Sequence, residues 1–114
     1  MDEKRKFRRR SLVYNFKVMD MATGASVGRL ANLSPEGLML ITTDRMMNNP
    51  EMKLSIVLPE KISGKNCIEC KAKCMWCKSA VNSDFFEAGF QLTEIPDEDL
   101  AAIVIVITKY RLLD

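Results

Sequence analysis

The sequence predicts a mainly β domain: a six-stranded antiparallel barrel, preceded by a basic arm and followed by one C-terminal α-helix. Three observations predict it. Apolar and polar residues alternate in short runs between residues 12 and 92, the two-residue period of strands with one buried face. Turn-forming clusters separate those runs. Near the C-terminus the period breaks at an apolar segment with acidic residues before it and basic residues after it. Closing six strands into a barrel removes exposed sheet edges.

Residues 1–10 form the arm, with Phe7 as their apolar side chain behind Met1, too little to order them. Leu12, Tyr14, Phe16 and Val18 then alternate with Val13, Asn15 and Lys17, a first strand. Asp20 to Gly24 reads as a turn. A second strand runs from Ser26 to Leu33 and is interrupted by Asn32 to Gly37. There Pro35 removes a donor, and Gly37 permits a φ that other residues resist. Leu38 to Thr42 is the third strand, and Asp44 to Pro50 a loop. Met52, Leu54, Ile56 and Leu58 mark the fourth strand, and Pro59 to Asn66 turns the chain. The fifth strand puts Ile68, Cys70, Ala72, Cys74 and Trp76 on one face. Asn82-Ser83-Asp84 is the next turn, and Phe86, Ala88, Phe90 and Leu92 alternate on the sixth strand.

The helix is expected at about 97–111. Asp97-Glu98-Asp99 suits a helix N-terminus, and Lys109 and Arg111 suit the other end. The β-branched run Ile103 to Ile107 opposes it, and the end charges decide for the helix. One apolar face should pack on the barrel and the other meet a second subunit, which implies a homodimer. The division is therefore an arm over 1–10 and a single domain over 11–114.

Composition narrows the function. The chain is 47% apolar and 28% charged, a globular balance. Leu100 to Ile107, the longest apolar run, is too short to span a bilayer. No signal region follows the basic start, so the expected location is cytoplasmic. Net charge is +2, yet residues 1–10 hold six Lys/Arg against two Asp/Glu, a local +4. Attraction for anions is concentrated in the arm. Histidine is absent, and with it the commonest general base. No Gly-rich phosphate loop, nucleophile elbow or paired-carboxylate motif appears, so the chain is not read as an enzyme.

The spacing Cys67-x-x-Cys70-x-x-x-Cys74-x-x-Cys77 invites a metal reading. On a strand, residues three apart face opposite ways, so Cys67 and Cys70 could not share one tetrahedral ion. Cys70 and Cys74 read instead as small buried side chains beside Ala72 and Trp76. A redox role for Cys67 or Cys77 stays open. No metal and no cofactor is expected.

Two motifs remain. Within Lys4-Arg5-Lys6-Phe7-Arg8-Arg9-Arg10, Arg5 and Arg9 form Arg-x-x-x-Arg, and Arg8 or Arg10 could substitute or assist. Asn32, Ser34 and Gly37 form Asn-x-Ser-x-x-Gly at the end of the second strand. In this order and spacing the chain resembles the PilZ domain, a bacterial receptor module for the second messenger cyclic di-GMP, over nearly its whole length. Phe86-Glu87-Ala88-Gly89-Phe90 is similar to that family's last strand. The resemblance implies a six-stranded barrel with a C-terminal helix, and a ligand held by Arg5, Arg9, Asn32, Ser34 and Gly37. Guanidinium groups bond phosphates or the guanine O6/N7 edge and stack on bases. Asn32 and Ser34 would hydrogen-bond a guanine or a phosphate oxygen.

The implied function is a nucleotide-driven switch in signal transduction. The loose arm folds over the barrel with cyclic di-GMP beneath it, and the reshaped surface regulates an unidentified effector protein in trans, in motility, exopolysaccharide or secretion. A basic arm on a small barrel also suits a nucleic-acid binder, although no aromatic stacking pair marks an exposed strand. A nucleotide-independent interaction protein is the third reading.

Overall fold

A computed structural model describes residues 16–46, 51–81 and 84–110. Leu12, Tyr14 and the arm, with Arg5, Arg8, Arg9 and Arg10, lie outside those residues. Six strands are described: β1 (Lys17–Asp20), β2 (Ser26–Leu33), β3 (Gly37–Thr42), β4 (Met52–Ile62), β5 (Lys65–Ser79) and β6 (Phe86–Glu94). One helix, α1 (Asp97–Tyr110), follows them. The strands form a closed barrel in the order β1-β2-β3-β6-β5-β4, and every neighbouring pair is antiparallel.

The alternation read from the sequence is the barrel's inside and outside. Val18, Leu30, Leu33, Leu40, Leu54, Ile56 and Ile68 point inward and are at most 1% exposed. Burying each such side chain stabilises the fold by about 1.5–3 kcal/mol. Asp20 holds the first turn: its carboxylate accepts the Ala22 N–H at 2.9 Å, and its carbonyl accepts the Gly24 N–H at 2.7 Å.

The fourth strand corrects the expected turn at Pro59 to Asn66. β4 runs on through Pro59 to Ile62, and the reversal is confined to Ser63 and Gly64. Both have positive φ, 52° and 79°, as a tight two-residue hairpin requires. Pro59 is tolerated because regular β4–β5 pairing stops at Val57↔Cys67 and resumes at Ile62↔Lys65. Its missing N–H therefore interrupts no regular ladder.

Helix α1 packs on β4 and β5. Ala102, Ile103, Val106 and Tyr110 form its buried stripe, so tertiary burial overrides the weak intrinsic propensity of the β-branched run. The other side leaves Val104 and Ile105 exposed. The helix start is pinned by Asp99, which is 3% exposed. Its carboxylate accepts the Glu69 N–H at 2.8 Å and faces Lys65 Nζ at 3.5 Å. At the far end the Tyr110 ring meets Phe16 edge-on, with centroids 5.2 Å apart. No helix among the described residues is long and apolar enough to cross a membrane.

Candidate functional site

The end of β2 turns one amide outward. The β2–β3 register shifts between Leu30 and Asn32, so Leu30, Ala31 and Leu33 are buried while Asn32 stays exposed. A bulge of this kind places two successive residues against one partner and re-aims the side chain beyond it.

The tight turn that follows is held by Ser34. Its hydroxyl oxygen accepts the N–H groups of Glu36 and Gly37 at 3.3 and 3.2 Å, and its hydroxyl donates to the Gly37 carbonyl at 3.3 Å. The Ser34 N–H also donates to the Gly37 carbonyl, at 2.8 Å, and the Leu92 N–H donates to the Glu36 carbonyl, clamping the turn to β6. The Ser34 hydroxyl is thus engaged in shaping backbone.

Gly37 is needed for a different reason from the one the sequence suggests. The described glycines with positive φ are Gly24 and Gly64, and Gly37 is not among them. A Cβ at position 37 would instead lie 2.3 Å from the Phe90 carbonyl oxygen. The requirement is close approach of two strands, not a left-handed backbone.

Asn32, Ser34 and Gly37 come together on the rim of an open cleft of about 370 Å³. Glu36 shares that rim. Met39, Gly89 and Gln91 line the cleft from β3 and β6, and Met75 and Trp76 from β5. Among the described residues, the lining includes no lysine or arginine. Among the described residues the lining offers an indole and two carboxamides, with Glu36 as its charged side chain.

Trp76 overturns its expected place inside the barrel. The β5–β6 register shifts between Cys74 and Trp76, and this bulge sends Trp76 outward, where it is 42% exposed. It lies against Gly89, whose hypothetical Cβ would be 2.3 Å from the indole Nε1 and Cε2. Lys78 Nζ sits 5.5 Å from the ring centroid, within cation–π range. Sequence reasoning missed Trp76, Met75, Met39 and Gln91 as site residues. Gly89, set between Ala88 and Phe90, was the available signal, because glycine inside a strand marks a close neighbour.

Two thiols of β5 behave as buried groups. Burial, and secondarily the nearby Asp99 carboxylate, push the Cys70 thiol up to about 11. Cys74 is raised by burial and then by Cys77, opposed by a hydrogen bond with the Trp76 backbone. Among the described residues no cluster of three or more His, Cys, Asp or Glu side chains could hold a metal.

The structure of the Bacillus subtilis inhibitor of motility (MotI/DgrA) shares this fold, with a TM-score of 0.63 and 17% identity over 87% of this chain and 47% of that one. The present chain therefore spans about half the length of that structure. No curated protein sequence matches it significantly. The family model of the PilZ domain matches residues 3–108, taking in the arginine arm, the Asn32–Gly37 turn and the whole barrel, and the chain belongs to the PilZ domain family.

Proposed function

We propose that this protein is a cyclic di-GMP receptor that changes shape on binding and regulates a partner protein in trans. One observation carries the reading. The cleft beside Asn32 has an aromatic wall and amide groups for bases but, among the described residues, no lysine or arginine for phosphates, while the chain's basic run lies just upstream of β1, the strand that pairs with β2. The Phe16 carbonyl accepts the Leu30 N–H at 2.9 Å, two residues along β2 from Asn32. Arg9 precedes Phe16 by seven residues, a span of up to about 25 Å when extended, enough to cover the cleft.

In this reading Arg5 and Arg9, assisted by Arg8 or Arg10, bond the phosphates or the guanine O6/N7 edges. Asn32 bonds a guanine edge, and Trp76 offers its face for stacking. Ser34 and Gly37 act by holding the turn that presents Asn32. Ligand binding draws the arm onto the barrel, and the new surface engages an effector protein in the cytoplasm. The family supplies ligand-binding and adaptor domains rather than catalysts. The output lies in motility, exopolysaccharide or secretion.

Calorimetric titration with cyclic di-GMP tests this, beside Arg9→Ala and Asn32→Ala variants. Saturable binding to the wild type, lost in Arg9→Ala and weakened in Asn32→Ala, supports the receptor. No heat with the wild type overturns it. Strongly salt-dependent binding to random oligonucleotides would favour a nucleic-acid binder instead.

A further inference from the structure

The two Cys-x-x-Cys spacings on β5 have opposite outcomes. Cys67 pairs with Val57, which is 40% exposed, while Cys70 pairs with Leu54, which is fully buried. On this regular stretch the two thiols face apart, as an unbroken strand dictates. Cys74 pairs with Phe90, and Cys77 with Ala88, both buried. The bulge between Cys74 and Trp76 consumes one residue without advancing the register. Cys74 and Cys77 therefore stand on the same, inner face, although three residues separate them.

We propose that Cys74 and Cys77 form an oxidisable dithiol beneath the Trp76 wall, convertible to a disulfide by a hydroperoxide and coupled to the shape of the cleft. Two register steps along β6 separate them, which corresponds to about 6.6 Å. A disulfide takes Cα atoms about 4.4–6.8 Å apart, so the spacing lies at its upper limit. Closing it draws the bulge tight. Met75 and Trp76, the two cleft residues between the cysteines, must move with it.

The local contacts assign the order of events. Cys77 is half-buried and accepts the Met46 N–H at 3.3 Å, so it is the more accessible sulfur and has a donor to steady negative charge. Cys74 is 1% exposed and donates its S–H to the Trp76 carbonyl at 3.4 Å. The Cys77 sulfur attacks the peroxide, the O–O bond breaks, one water leaves and a sulfenic acid forms. The Cys74 sulfur then attacks the Cys77 sulfur, the S–O bond breaks and a second water leaves. The two thiols lose two electrons and two protons, and hydrogen peroxide becomes two waters. The Cys74 S–H bond to the Trp76 carbonyl is lost in the second step, which ties the chemistry to the cleft wall.

Digestion makes the test clean. Trypsin cuts after Lys65, Lys71, Lys73 and Lys78, so Cys67 and Cys70 fall in one peptide and Cys74 and Cys77 in another. Folded full-length protein is treated with hydrogen peroxide, blocked with an alkylating agent, digested and weighed. The expected result is loss of two hydrogens from the Cys74–Lys78 peptide, with the Asn66–Lys71 peptide fully alkylated. Cys74→Ala should stop at a dimedone-trappable sulfenic acid on Cys77, and Cys77→Ser should leave Cys74 reduced. An unlinked Cys74–Lys78 peptide, or a Cys67–Cys70 link formed equally fast, overturns the proposal. Its effect on the ligand rests on the receptor reading above: oxidised wild type should bind cyclic di-GMP several-fold differently from reduced protein, and the Cys77→Ser variant should not respond. Unchanged affinity after verified oxidation overturns the coupling, and absence of binding by the reduced protein overturns the receptor reading while the peptide masses still decide the dithiol.

Discussion

The Trp76 indole rests against Gly89 so closely that any side chain at position 89 would displace it. Gly89→Ala should therefore swing the ring away from the cleft wall. Trp76 is the single tryptophan of the chain, so its fluorescence reports the displacement directly, with emission moving toward that of a solvated indole. Stacking on a base is worth about 1–3 kcal/mol, and cyclic di-GMP affinity should fall accordingly. Because the ring is already half exposed, thermal stability should change little. Unaltered emission in Gly89→Ala would show that the ring does not depend on this glycine.

Gly37 should behave differently. Its obstacle is the Phe90 carbonyl, part of the neighbouring strand, which cannot rotate aside as a side chain can. Gly37→Ala should destabilise the barrel by about 1–3 kcal/mol through overpacking, read as a lower urea midpoint. A stable Gly37→Ala protein that merely loses ligand affinity would contradict the close-approach account.

Asp99 ties the helix to β5 through the Glu69 N–H and Lys65. Asp99→Ala leaves a part-buried backbone donor without its acceptor, and should cost about 1 kcal/mol or somewhat more. Asp99→Asn keeps an acceptor oxygen and should recover part of that loss. Equal losses in the two variants, measured by chemical denaturation, would argue that charge matters rather than the hydrogen bond.

Glu60 carries a pH dependence. The Lys109 hydrogen bond first, and the Tyr110 hydroxyl second, hold its carboxyl below the usual glutamate range. A carboxyl whose folded pKa is depressed contributes stability above its unfolded value and loses it as pH falls through the folded one. The stability difference between wild type and Glu60→Gln should thus be present at neutral pH and vanish in acid, below the ordinary glutamate range. The pair is solvent-exposed, so the difference should be small and shrink in salt. A difference that grows on acidification would contradict this assignment.

Much of the barrel was legible because one face of each strand must be apolar. β2 runs from Ser26 to Leu33, the bounds read from the sequence, and α1 follows its end charges despite six successive β-branched residues, Ile103 to Thr108. What escaped had local causes. Pro59 reads as a breaker, but the ladder beside it is already irregular, so β4 runs through it. Trp76 reads as inward because a two-residue period cannot register a bulge, and one extra residue reverses every facing beyond it. Asn32, Ser34 and Gly37 were legible as a group, whereas their division of labour was not: the serine's hydroxyl is spent on backbone, and the glycine answers to a carbonyl on another strand.

The barrel closes on its shortest strand. β1 has four residues, yet it alone joins β2 to β4, and its pairing of Val18 with Ile56 spans 38 positions of sequence. Such a seam demands a large loop closure for few hydrogen bonds, so it is the natural last step of folding and the first place for the native barrel to part. Amide protons along β1 should exchange ahead of those in β3 and β6. The seam also lies directly downstream of the arginine run, so a ligand that tethers the arm to the cleft side of the barrel would act as a clasp across it, slowing exchange at β1 and β4 far from any atom it touches.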